Sequence, residues 1–326
     1  MQATSETLQP NNFPSALFKG GRSLFQRLTA NKKMAIGSSI ITFFVLLAIF
    51  GPLLTHQSPD ATSNDIFLPP SLAHWLGTTK SGEDVFTQLV YGARVSLLVG
   101  FLSALGSIIL QIIMGLSAGY FGGLIDNVLS FIINVFLVLP GIPLGLVIAS
   151  FAPLRGSVVI TLLLIFTSWS YGSRVLRAQT LSMRNREFVE AARSSGETTL
   201  RIIFFEILPN EIALVASSFI GTFVYTILAD VVFEFLGLGD VTKTNWGVML
   251  YWAQAGQALL AGGWWWFIPP GLCVALVCAG LTLLNSGIDE VANPKLRTEP
   301  KTEKLARKKQ AEIENVNPTQ KEVVVQ

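Results

Sequence analysis

Two carboxylates stand inside an otherwise apolar stretch, Asp230 and Glu234, four residues apart and so on one face of any helix that carries them. A carboxylate near the centre of a bilayer costs about 2.5–3.5 kcal/mol on insertion scales, so such groups face a bundle interior or a water-filled cavity. The pair could line the outer mouth of a solute path or anchor a loop near the headgroup boundary. Other reactive side chains are sparse. His56 and His74, the two histidines, fall in one polar segment with no Cys near them, and both are expected to be solvated rather than metal-bound. Cys273 and Cys278 sit in an apolar run, five residues apart, and on a helix would point to different faces and not bridge. The sequence has no G-x-x-x-x-G-K-[ST] phosphate loop, no helix-borne metal pair and no nucleophile elbow. The expectation is a chain that performs no covalent chemistry and holds no cofactor or metal of its own.

A different kind of work is suggested by EFVEAARSSGETTLRIIFFEILPN, Glu187 to Asn210, the longest polar interruption between two apolar runs. Glu190, Ala191 and Ala192 open a short helical pattern, Gly196 breaks it, and a second amphipathic run closes on Leu208 and Pro209. The spacing predicts helix, turn, helix, stop, with Pro209 preventing simple continuation of the second helix. Adjacent alanines let another backbone approach, and Gly196 can turn left-handed without a Cβ penalty. A docked partner protein fits this design. Glu190 and Arg193, three apart, could staple the first helix, a contribution of about 0.3–0.5 kcal/mol for an exposed pair.

These residues need elements to hold them, and the composition says which. Of 326 residues, 51% are hydrophobic and only 13% charged, against about 25% charged in soluble domains. Met34 to Leu54 supplies the roughly twenty apolar residues that a bilayer span needs, and further spans are expected at about Val95–Ala118, Val128–Phe151, Ser157–Tyr171 and Ala213–Leu236, with a last helix after Trp264. Residues 1–33 form an arm, disordered at first, with a basic interfacial helix over Phe18–Leu28. Pro140, among Gly141, Pro143 and Gly145, predicts a kink or break in the third span. That kink serves either a translocation path or simple bundle packing. Trp264 to Trp266 have the composition of an interfacial aromatic belt.

Several ordered motifs resemble one family. Glu190-Ala191-Ala192, three residues, Gly196, then Leu208-Pro209 is similar to the EAA loop of permease subunits of ABC importers, with Glu206 standing where that pattern has an apolar residue. His74-x-Leu76-Gly77-Thr78, Gly82-x-Asp84-Val85 and Tyr91-Gly92-Ala93-Arg94 resemble the dipeptide, oligopeptide and nickel permeases, as do Phe235 to Gly239, Trp246 to Leu250 and the closing Asn293 to Arg297. Asp230 falls in that group's acidic slot. The resemblance covers about residues 74 to 297.

It implies an all-α polytopic membrane protein with six transmembrane helices, both termini cytoplasmic, and the EAA coupling loop between helices four and five. The implied layout is arm 1–33, first helix 34–54, extracytoplasmic loop 55–94, a five-helix permease core 95–297 with coupling loop 176–212, and a disordered or loosely helical cytoplasmic tail 298–326. The charges agree with this orientation. Of the 23 Lys and Arg residues, only Lys80, Arg94, Arg155 and Lys243 fall on the outer side of such a path. The family implies a second, related permease, two ABC ATPase subunits that hold ATP and Mg, an extracytoplasmic solute-binding protein, the inner membrane of a prokaryote as its lipid setting, and no nucleic acid. Di- or oligopeptides are the expected cargo, with oligosaccharides or nickel complexes as alternatives. An ion-coupled secondary transporter using Asp230 and Glu234 is the competitor from another class, and a purely structural or receptor role is a third.

Overall fold

A computed structural model describes residues 32–55, 57–151 and 155–292. Nearly all of the N-terminal arm, the interfacial helix over Phe18–Leu28, His56 and the C-terminal tail lie outside the described residues. Among the described residues the regular elements are helices, joined by only two isolated backbone bridges, Thr62 with Glu83 and Thr78 with Asp84.

In chain order these are α1 (Lys32–Leu54), α2 (Val85–Phe121), α3 (Gly123–Val138), α4 (Gly141–Phe151), α5 (Ser157–Ser168), α6 (Ser170–Met183) and α7 (Glu187–Ser194). Then come α8 (Thr199–Arg201), a π-helical turn (Ile202–Ile207), α9 (Leu208–Phe235), α10 (Trp246–Ala255) and α11 (Trp264–Ala292). Five stretches are long and apolar enough to cross a membrane: α1, α2, Ser157–Met183, Thr199–Phe235 and Trp264–Glu290. The pair α3 and α4, bent by 87°, makes a sixth when it is taken as one span. The bend falls at Leu139–Pro140. Leu139 is extended (φ −71°, ψ 123°), as the steric demand of a following proline dictates, and Pro140 carbonyl accepts from Leu144 N at 3.0 Å to start the next helix.

Two helices are longer than their apolar cores. The second span begins at Val85 rather than near Val95, because Asp84 caps it: its Oδ1 accepts from Thr87 N at 2.7 Å. The fifth begins at Thr199, and here the expected stop at Pro209 is corrected. Pro209 lies in the first turn of α9, which follows the π-helical turn without a break. Leu208 N donates to Ile203 O, one residue further back than in an α-helix. That shift makes room for the proline ring, whose missing N–H would otherwise orphan a carbonyl. Asn210 Nδ2 donates to Glu206 O at 2.6 Å and satisfies one of the carbonyls left over.

The segment before α2 folds over the helix ends. His74 is not solvated: Nδ1 lies 2.8 Å from Asp84 Oδ2 and Nε2 lies 3.3 Å from Asp65 Oδ2, with the ring 12% exposed. The Asp84 hydrogen bond, ahead of that to Asp65, raises its pKa above the ordinary 6.5 against the opposing effect of burial. Trp265 Nε1 donates to Thr78 O at 3.2 Å. Trp265 and Trp266 are therefore core residues and only Trp264 is half-exposed, so the tryptophan triplet is not a belt. Trp246 is fully buried, its N donating to Ser96 Oγ and its Nε1 to Leu89 O. It packs edge-on against Phe44 of α1. The motif residues before α2 and around Trp246 thus fit into one another.

Candidate functional site: a loop helix and a hydroxyl-lined cavity

Gly196 ends α7. Its N donates to Arg193 O at 3.0 Å and Glu197 N donates to Ala192 O at 3.2 Å, with Gly196 at φ +80°. This is a Schellman termination, which needs a left-handed residue at that position. No atom lies within 4 Å of where a Cβ on Gly196 would stand, so backbone conformation, not space, demands glycine there.

One face of α7 is pinned. Val189 is fully buried against Ile202 and Ile207, with Tyr120, Met183 and Ala192 around it. Glu190, Ala191 and Gly196 are exposed, and so are the apolar Phe188, Leu200, Phe204 and Phe205. α7 is thus fixed on one side through Val189 and presents a mixed polar and small-residue face on the other, with exposed apolar side chains on the elements that follow it. Leu208 is half-buried and Pro209 exposed, at the start of α9. The Glu190–Arg193 staple is absent. Arg193 instead lies over the Tyr120 ring, 5.0 Å from its centroid, and Nε donates to Tyr120 Oη at 3.3 Å. The ion pair of this region is Arg201 with Glu197, at 3.0 Å.

The helices on either side of the loop are tied together. Arg177 of α6 clamps Asp126 of α3 with two parallel hydrogen bonds, Nη2 to Oδ2 at 2.8 Å. Thr180 Oγ1 lies 3.0 Å from Glu211 Oε1 of α9. Farther along, Gln111 Nε2 donates to Thr222 Oγ1 at 3.0 Å, and Ser218 Oγ donates to Gln111 Oε1 at 2.7 Å. Gln111 reaches α9 past Gly172, where any Cβ would collide with its amide.

Beside that amide is a cavity of about 560 Å³ between the broken α3–α4 pair, the α5–α6 junction and α9. Thr167, Ser170, Ser217, Ser218, Thr222 and Tyr225 give it hydroxyls, Asn285 of α11 an amide, and Phe136, Leu139 and Val175 apolar wall. No charged residue lines it. Gly141, just after Pro140, borders it and would meet Tyr225 Oη at 2.6 Å if it carried a Cβ. The sequence reading missed these hydroxyls. The available signal was Ser217, Ser218, Gly221, Thr222 and Tyr225, small and hydroxylated positions recurring on one face of an apolar helix.

Asp230 and Glu234 are buried, 2% and 1% exposed, and neither borders this cavity. Glu234 lies against Gly239 and Gly247, neither of which could carry a Cβ beside it. Asn245 caps α10, its Oδ1 accepting from Val248 N at 2.8 Å. Asp230 Oδ1 and Glu234 Oε2 have no hydrogen-bond partner. Among the described residues no group of three or more His, Cys, Asp or Glu side chains could hold a metal ion.

Residues 111–298 match a family described as binding-protein-dependent transport system inner membrane component, and residues 21–70 match the N-terminal transmembrane domain of oligopeptide transport permease C. The dipeptide transport system permease protein DppC of Alkalihalophilus pseudofirmus is 36% identical over 85% of this chain and 90% of its own. DppC of Bacillus subtilis is 36% identical over 84% and 85%, and the oligopeptide permease OppC of the same organism 28% over 83% and 88%. Among solved structures, inward-facing MetNI methionine ABC transporter matches with TM-score 0.47 at 18% identity, covering 64% of this chain and 95% of the other.

Proposed function

Since this chain belongs to the binding-protein-dependent transport inner-membrane components, we propose that it is one permease subunit of an ATP-driven importer of di- or oligopeptides. It forms the path with a second, related permease, takes solute from an extracytoplasmic binding protein, and is driven by two cytoplasmic ATPase subunits that hold ATP and Mg. The termini and α7 then face the cytoplasm. The observation that carries this reading is the seating of α7: pinned through Val189, closed by Gly196, and exposed through Glu190, Ala191 and the neighbouring phenylalanines.

The mechanism follows from connectivity. Displacement of a docked α7 passes through Val189 to Ile202 and Ile207, and hence to the continuous helix of Thr199–Phe235. Through the turn at residues 184–186 it also reaches α6. Those two helices supply most of the cavity wall, so their tilt opens the cavity to one side or the other. Solute passes along Thr167, Ser170, Ser218 and Tyr225 beside the break at Pro140. Hydroxyls and an amide can hydrogen-bond a peptide backbone while leaving side-chain charge unread. Oligosaccharide fits the same lining; a nickel complex finds no ligating side chain in it.

Glu234 acts as an anchor for the 236–245 loop, and Asp230 accompanies it. Their burial away from the cavity lends nothing to an ion-coupled carrier. The test is Gly196→Val, with Gly196→Asn as the tolerated control. A β-branched residue forced left-handed costs about 1–2 kcal/mol. The expected result is membrane insertion at normal levels with ATPase subunits no longer copurifying; undiminished transport by Gly196→Val sinks the reading.

A further inference from the structure

On the face of α9 opposite the hydroxyl-lined cavity there is a second hollow, of about 730 Å³, between α1, α2, α9 and α11. Its wall is apolar throughout, carried by Ile41, Phe44, Leu98, Phe101, Phe219 and Phe223, with a single exception: Arg94 of α2. Arg94 is exposed, and among the described residues no hydrogen bond, ion pair or ring contact engages its guanidinium. An unpaired guanidinium on an apolar surface at membrane depth is costly unless an anion meets it. We propose that this groove is a binding site for one glycerophospholipid, its phosphate on Arg94 and an acyl chain along the phenylalanines.

Depth and direction both fit. Gly51 of α1 crosses α2 at Val90, so Arg94 lies one turn, about 6 Å, below that crossing. Helical side chains lean toward the N-terminus of their own helix. For α2 that is the end at Val85, where α1 also ends in exposed Leu53 and Leu54. Arg94 therefore snorkels toward the headgroups of that leaflet while its aliphatic stem stays among apolar side chains. A phosphodiester accepts the planar fork of a guanidinium bidentately. A wholly apolar helix of a partner subunit would fill the wall but leave Arg94 without an anion.

The intact complex, stripped of lipid in mild detergent, is titrated with dioleoyl phosphatidylglycerol and examined by native mass spectrometry for retained lipid. The expected result is one phospholipid per chain held by wild type, with affinity about ten-fold or more weaker in Arg94→Gln and partly kept in Arg94→Lys. Ala216→Phe, which fills the groove and leaves Arg94 in place, should lose it too and serves if Arg94→Gln fails to fold. Dioleoylglycerol, which lacks the phosphate, should not compete. Unchanged retention in both Arg94→Gln and Ala216→Phe, or equal competition by dioleoylglycerol, overturns the proposal. So does a Leu98→Cys thiol that is shielded from a lipid-soluble maleimide in the lipid-free complex, because the groove is then a subunit interface.

Discussion

His74 holds two carboxylates at once, and that makes the segment before α2 sensitive to pH in a definite direction. The Asp84 hydrogen bond raises the folded pKa above 6.5. The stabilisation is thus complete below about pH 6.5 and is lost as pH rises through the raised folded value. Hydrogen-exchange protection across residues 57–84, taken relative to the intrinsic base-catalysed rate at each pH, should be greatest in mild acid and fall toward alkaline pH; His74→Gln should flatten that dependence. Protection independent of pH in the wild type would contradict the role. Residue types alone did not reveal this. A histidine among polar residues looks solvated until the chain, turning at Gly77 (φ +71°) and Gly82 (φ +78°), brings Asp84 back to one ring nitrogen, with Asp65 at the other. Gly196 was the opposite case, since a glycine between a short amphipathic helix and a second one has few other uses. The Arg193 side chain could not be assigned from spacing, because its partner, Tyr120, lies 73 residues away.

Spans are written in length and apolarity, and the helices follow them, including the break at Pro140. What length could not give was continuity through Pro209, which depends on the π-helical register of Ile202–Ile207 and on Asn210 taking up the Glu206 carbonyl. That continuity is functional in the proposed mechanism. It turns the second half of the coupling loop and the fifth span into one lever, with Val189 as its only fully buried contact with α7. Val189→Ala should cost about 1–3 kcal/mol of local packing. The ATPase subunits should still copurify, because the outer face of α7 is untouched, yet stimulation of ATP hydrolysis by loaded binding protein should fall several-fold. Normal stimulation by Val189→Ala would mean that the push travels another way.

Taken whole, the bundle separates its surfaces by chemistry. Hydroxyls and one amide face the hydroxyl-lined cavity, apolar groups face outward, and most ionisable groups gather at the ends or in clamps such as Arg177 with Asp126, with Arg94 in its groove and the buried Asp230 and Glu234 as the exceptions. In the proposed importer, a path without charge would pass acidic and basic peptides alike and leave charge selection to the binding protein. Thr222→Asp places a fixed carboxylate in the lining and should slow acidic dipeptides several-fold relative to basic ones. An unaltered ratio, measured with the same binding protein, would put the path elsewhere. The membrane class and the family motifs were legible in the sequence. The cavity was not, because it arises where the bend at Pro140, the junction at Trp169 and one face of α9 meet.

The helix over Thr199–Phe235 has 37 residues, about 55 Å at the α-helical rise, against about 40–45 Å for a bilayer with its headgroups. Set upright, it would exceed that thickness by roughly 10 Å, and α7 is packed against its Thr199 end through Ile202. In the proposed importer, α7 would thus be held up like a handle above the lipid surface, where a water-soluble motor could grip it without first parting the headgroups.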